Sequence, residues 1–201
     1  MSIRATILIS TLVLASACAE DLRDALGDGS EGADDHAGGP QVDNEVEGDT
    51  IITTVDATDE AAWIHLDLET RSQVTVAVPL ESDAWDLAFQ RYDIATNGGV
   101  SGPGGVTVAI VDGTDAASVT AVPSGPWLAD AADGDDTNDD PDYVMSGWYD
   151  YDVTTHVLTP KPVVYVVRTP EMNAFAIQVI DYYDDAGSSG WTQVRWRQLT
   201  R

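Results

Sequence analysis

The sequence predicts an all-β fold, an antiparallel sandwich or open barrel, on three observations. Between residues 50 and 198 the chain is a series of short runs rich in Val, Ile, Thr, Trp and Tyr; Gly, Asn, Asp and Ser clusters punctuate them; and no stretch carries a helical apolar period long enough for a crossover helix. Strands without crossovers pair antiparallel through tight turns.

Taken in order, the expected strands are residues 51–55, 63–68, 74–79, 85–91, 106–111, 163–168, 175–183 and 191–198. Asn97-Gly98-Gly99, Asp112-Gly113 and residues 185–190 supply positive φ or local Asx bonding between them. In the second run Ile64, Leu66 and Leu68 alternate with Trp63, His65, Asp67 and Glu69, the pattern of a strand with one wet face. In the fourth, Trp85, Leu87 and Phe89 share one face. Asp86 and Arg91 are placed either to pair with each other or to bond neighbouring backbone, while Thr96 and Asn97 close a turn in which Gly98 and Gly99 take left-handed angles.

Charge narrows the function classes. Nine Lys and Arg face 35 Asp and Glu, a formal charge of −26 over 201 residues. Such a surface repels phosphate backbones and anionic lipid heads, so nucleic acid and a polybasic membrane patch are excluded as partners. No nucleophile elbow, His-Glu-x-x-His motif or phosphate loop is present: Gly99-Val100-Ser101-Gly102 ends on Pro103 where the elbow needs glycine. The chain therefore reads as a non-enzyme.

Residues 1–17 carry Arg4, a compact apolar run and then small residues, the organisation of a signal peptide. The chain's one cysteine, Cys18, follows Leu14-Ala15-Ser16-Ala17, which resembles the lipobox of bacterial lipoproteins. The resemblance implies lipidation at Cys18, and Ala19 after it implies sorting to the outer membrane or cell surface, with membrane contact only through the anchor. Residues 19–49 hold eleven acidic residues and one base, Arg23, so residues 18–49 are expected to be a lipidated cysteine followed by a disordered acidic tether. The β domain is then residues 50–201.

Residues 85–102, beginning Trp85-Asp86-Leu87-Ala88-Phe89-Gln90-Arg91 and continuing through Thr96-Asn97-Gly98-Gly99, resemble the signature of the HmuY-like family, exported haem-binding lipoproteins of Gram-negative bacteria. The Tyr165 strand and the closing hairpin, Phe175 to Tyr183 and then Gly187-Ser188-Ser189-Gly190, resemble two further family blocks in the same order. The resemblance implies an all-β HmuY-like fold and a protein that takes up haem or a related porphyrin outside the cell for iron acquisition, in concert with an outer-membrane receptor. On the residues' own chemistry Trp85, Asp86, Phe89, Arg91, Thr96, Asn97 and Gly99 are structural rather than ligand contacts.

The resemblance implies haem iron held between two histidines or, in some relatives, methionines, so two donors must face one another. His36 lies in the tether, and His65 reads as a half-exposed strand residue. His156, with Met145 in the same region, is the expected axial donor. No Lys or Arg occurs between Arg91 and Lys161, so propionate partners must come from Arg91, Lys161 or Arg168, or from backbone donors.

The alternative, from a different class, is a non-haem surface interaction module on the same scaffold. It rests on residues 130–142, seven aspartates in thirteen residues, whose hard oxygens suit calcium. Asp133, Asp135, Asp139 and Asp140 are the expected ligands, although no Glu closes the loop as in an EF-hand. A solvated acidic loop is the plain reading of the same residues.

Overall fold

In the computed structural model, residues 40–134 and 140–200 are described, and among them the architecture is a sandwich of antiparallel sheets. The strands are β1 Val42–Glu47, β2 Thr50–Asp56, β3 Ile64–Asp67, β4 Ser72–Val74, β5 Leu87–Gln90, β6 Asp93–Thr96, β7 Thr107–Asp112, β8 Tyr149–Asp152, β9 Val157–Pro160, β10 Val163–Arg168, β11 Ala174–Tyr183 and β12 Ser189–Gln198. A six-stranded sheet runs β1-β2-β12-β11-β10-β7, a four-stranded sheet runs β4-β3-β5-β6, and β8 and β9 form a separate hairpin.

Alternation explains the packing. Ile51 and Val55 of β2, Tyr165 and Val167 of β10, Phe175 and Ile177 of β11, and Val194 and Trp196 of β12 point to one face of the large sheet. They meet Ile64 and Leu66 of β3, Leu87 and Phe89 of β5, and Ile94 of β6 in one continuous core. Trp196 is buried here, its indole donating to Thr53 Oγ1 at 2.7 Å and its ring edge-on to Phe175. The outer face of the large sheet is covered in part: Ala109, Val164, Val166, Ala174 and Ala176 pack with Ala116, Val119 and Leu199. β10 is thus apolar at consecutive positions because both its faces are buried.

Three sequence expectations are corrected. The segment expected to be tether through residue 49 contains β1, which pairs with β2 in register from Val42 with Val55 to Glu47 with Thr50. Its acidic residues sit at exposed positions of an edge strand, so composition alone made it resemble a linker. The strand expected over 74–79 is displaced: β4 ends at Val74, the one residue the two share, and the chain then enters a 3₁₀ turn at Pro79–Glu81, where Pro79 has no N–H to give a ladder. Trp85 does not share a face with Leu87 and Phe89: it precedes β5 and packs on the far side of the small sheet with Ala88, Ala95, Trp63 and Tyr143. That cluster also buries His65, at 6% exposure, so the face expected to be wet is largely covered.

Candidate functional site

The family-like motif is a set of buried polar ties. Asp86 accepts the Leu68 N–H at 2.8 Å and does not pair with Arg91. Arg91, at φ 51°, instead donates Nη1 to Thr58 O at 3.0 Å and Nη2 to Ser189 Oγ at 2.8 Å, joining the small sheet to the β11–β12 hairpin. Thr96 lies in β6 opposite Leu87, not in a turn. Asn97 is fully buried and donates Nδ2 to Ser82 O and Trp85 O while its Oδ1 accepts the Gly104 N–H, so it pins three segments at once. Gly99 takes φ 62°, and a Cβ there would lie 1.8 Å from Asp130 O. Phe89 is sealed in the core.

The acidic segment divides by role. Asp130 is 2% exposed and accepts the N–H groups of Thr96 and Val144 at 2.8 and 2.9 Å, which makes it a structural keystone for that segment. Burial pushes its carboxyl up while these bonds pull it down. Asp133 and Asp140 are exposed; Asp135 and Asp139 lie outside the described residues, as do His36, Cys18 and the expected signal peptide.

Sequence reasoning missed a cluster of carboxylates elsewhere. Oxygens of Asp67, Glu69 and Asp86 lie within 4.8 Å of one another. Glu69 Oε1 accepts Thr169 Oγ1 at 2.6 Å and Asn173 Nδ2 at 3.3 Å, tying the end of β3 to the β10–β11 turn. Burial raises Asp86 to about 8; the Leu68 N–H opposes the shift, and the nearby charges of Glu69 and Asp67 add to it. A proton held on Asp86 at neutral pH relieves part of the repulsion within the cluster. The only signal in the sequence was the alternation of Asp67 and Glu69 on one face.

The expected axial donors are not brought together. Met145 is 0% exposed within the main core, so its sulfur is packing and offers nothing to a ligand. His156 is at the tip of the β8–β9 hairpin, exposed, at φ 58°, with its N–H closing the four-residue loop onto Asp152 O at 2.8 Å. Asp152 Oδ1 shapes that loop by accepting the Thr154 N–H, which holds its carboxyl below the usual range. The Tyr151 hydroxyl is hydrogen-bonded to His156 Nδ1, which orients the ring and leaves Nε2 outside that bond. Tyr151, Val153 and Val157 are exposed around it, at 50%, 75% and 41%.

The hairpin stands on an aromatic base. Trp148, fully buried, donates its indole N–H to Tyr92 O at 2.9 Å and meets Tyr149 and Tyr182 at ring separations of 4.8 and 5.7 Å. The Tyr183 hydroxyl accepts the Leu158 N–H at 2.9 Å. Lys161, at the end of the hairpin, is 3.4 Å from Asp150. Chemically, this is a firmly rooted projection that offers one imidazole, apolar flanks and one cation.

The family model described as HmuY protein matches residues 59–196. Among curated proteins none matches the sequence. A structure of the apo HmuY analog of Tannerella forsythia is similar with TM-score 0.60 at 18% identity, over 80% of this chain and 97% of that one. A proposed HmuY-like heme-binding protein of Bacteroides vulgatus gives 0.59 at 21%, over 76% and 93%. A proposed lipoprotein of Bacteroides fragilis gives 0.60 at 23%, over 79% and 94%. At these identities the likeness to the three structures is one of fold.

Proposed function

The chain belongs to the HmuY family, and from that premise we propose that it is an exported, lipid-anchored surface protein that binds haem or a related porphyrin outside the cell for iron acquisition. The observation that carries the reading is the β8–β9 hairpin, which presents the one exposed imidazole among the described residues. His156 is the axial donor in this reading: Tyr151, accepting from Nδ1–H, would hold the ring in the tautomer whose Nε2 is free to bind iron. Val153 and Val157 give the porphyrin face apolar contact, and Lys161 is the nearest cation in sequence for a propionate. Met145 is sealed away, so the reading rests on His156 as the axial donor among the described residues. The B. vulgatus relative's description as heme-binding supports the same ligand class. Cys18 would carry the lipid, the acidic residues before β1 would hold the domain off the membrane, and delivery to an outer-membrane receptor is the partner this function calls for.

Hemin titrated into the full chain should give a saturable Soret shift that His156→Ala abolishes and Tyr151→Phe weakens. An unshifted Soret band, or one indifferent to His156→Ala, rejects the assignment.

A further inference from the structure

On the opposite side of the small sheet from the core lies a cavity of about 270 Å³ with no role in the reading above. Trp63, Trp85 and Tyr143 line it together with Leu80, Val100 and His65. Trp63 and Tyr143 meet edge to face, with centroids 5.7 Å apart and planes at 63°, so they form adjoining walls rather than a stack. His65 stands at 80° to Trp85, 4.9 Å away. Two half-buried rings, Trp63 and Tyr143, over a floor that includes the buried Trp85 give one small, mostly apolar space the elements of a cation-binding cage, because each ring face carries the negative part of its quadrupole.

Charge around the cavity has the matching sign. None of its lining residues is a lysine, arginine, aspartate or glutamate. Burial lowers the pKa of His65, against a smaller effect of its bond to the Trp63 backbone, so the imidazole is neutral at pH 7 and adds no competing positive charge. Behind Tyr143 stand carboxyls: burial first, and then Asp93, Asp140 and Asp130, push its phenol up to about 12. Asp93 itself, raised to about 6, is ionised at neutral pH. With a net charge of −26 the whole chain also attracts cations at long range.

We propose that this cavity is a second binding site, for a small organic cation bearing a methylated ammonium group, held by Trp63, Trp85 and Tyr143. Methyl groups fill the apolar walls, the ring faces carry the charge, and the carboxylates near Tyr143 add attraction without a direct ion pair. An inorganic cation, which keeps its hydration shell, gains none of this, and a neutral alkyl group gains only the apolar part.

The test is a proton NMR titration of choline and tetramethylammonium with the full chain, alongside 3,3-dimethylbutan-1-ol, the uncharged carbon isostere of choline. The expected result is saturable binding with upfield-shifted methyl resonances for both cations, and about tenfold weaker binding of the isostere. Trp63→Leu should weaken choline about tenfold, Tyr143→Leu should do so independently in case the first variant folds poorly, and Trp63→Phe should retain most of the affinity. Equal binding of the isostere, no saturable shift, or a Trp63→Leu variant that is folded and binds choline as before would overturn the proposal. A parallel arm with phosphatidylcholine vesicles distinguishes a lipid headgroup from a free amine; binding in either arm supports the site. Hemin binding by Trp63→Leu should be unchanged, so loss of either site leaves the other testable.

Discussion

β9 and β10 are separated by only Lys161 and Pro162, yet they have opposite fates. β10 is buried at five consecutive positions, with Tyr165 and Val167 in the main core and Val164 and Val166 in the cluster on the outer face. β9 buries only Leu158, and its partner β8 is exposed at three of four positions. The chain thus places its cohesion in the central strands and leaves the neighbouring hairpin, rooted at Trp148 and Tyr183, nearly free of structural duty. Substitutions on either side of Pro162 should therefore act on different properties.

The largest effect is expected where the comparison is strongest. Trp196→Ala removes a buried indole, its bond to Thr53 and its contact with Phe175, and should cost about 3–5 kcal/mol in chemical denaturation. A loss no larger than that of a surface change would mean that the large sheet does not hold the fold.

Next comes the carboxylate cluster at the end of β3. The folded protein keeps the Asp86 proton up to about pH 8, whereas the ordinary aspartate value is 3.8. Between those values the folded state binds more protons than the unfolded chain, so stability should fall as pH rises and level off above about 8. Unfolding free energies from chemical denaturation across that range should show a slope approaching about 1 kcal/mol per pH unit. Asp86→Asn keeps an acceptor for the Leu68 N–H and should flatten the slope, leaving the contributions of Asp93, raised to about 6 by burial and Asp140, and of Asp130, raised by burial.

The smallest effect belongs to the hairpin. His156→Gly removes an exposed ring at a positive φ that glycine adopts without strain, so stability should change by less than about 0.5 kcal/mol. Hemin binding should nevertheless disappear. A large loss of stability with hemin binding intact would reverse the roles assigned to the two regions.

The same contrast explains what was legible in the sequence. β10, β11 and β12 declare themselves through β-branched and aromatic runs, because burial on one or both faces demands those residues. β1, β8 and β9 do not: an edge strand and an exposed hairpin satisfy their backbones with Asp, Glu and Thr as readily as a loop does, so composition conceals them. Family resemblance and fold were readable in Trp85 to Gly99. Yet the burial of Asn97 and Asp130 was not, since their acceptors and donors come from distant segments. His156 could be singled out by elimination, but its pairing with Tyr151 depends on the hairpin register. Met145 lies in the core because a thioether beside aromatic residues is as suited to packing as to ligation.

β1 forms one border of the six-stranded sheet, and its Asp43, Glu45 and Glu47 are all solvent-exposed. An unpaired border is where sheets of separate molecules would otherwise zip together. Two copies brought edge to edge would meet there as like charges, so the strand that composition disguised as a spacer disfavours their pairing.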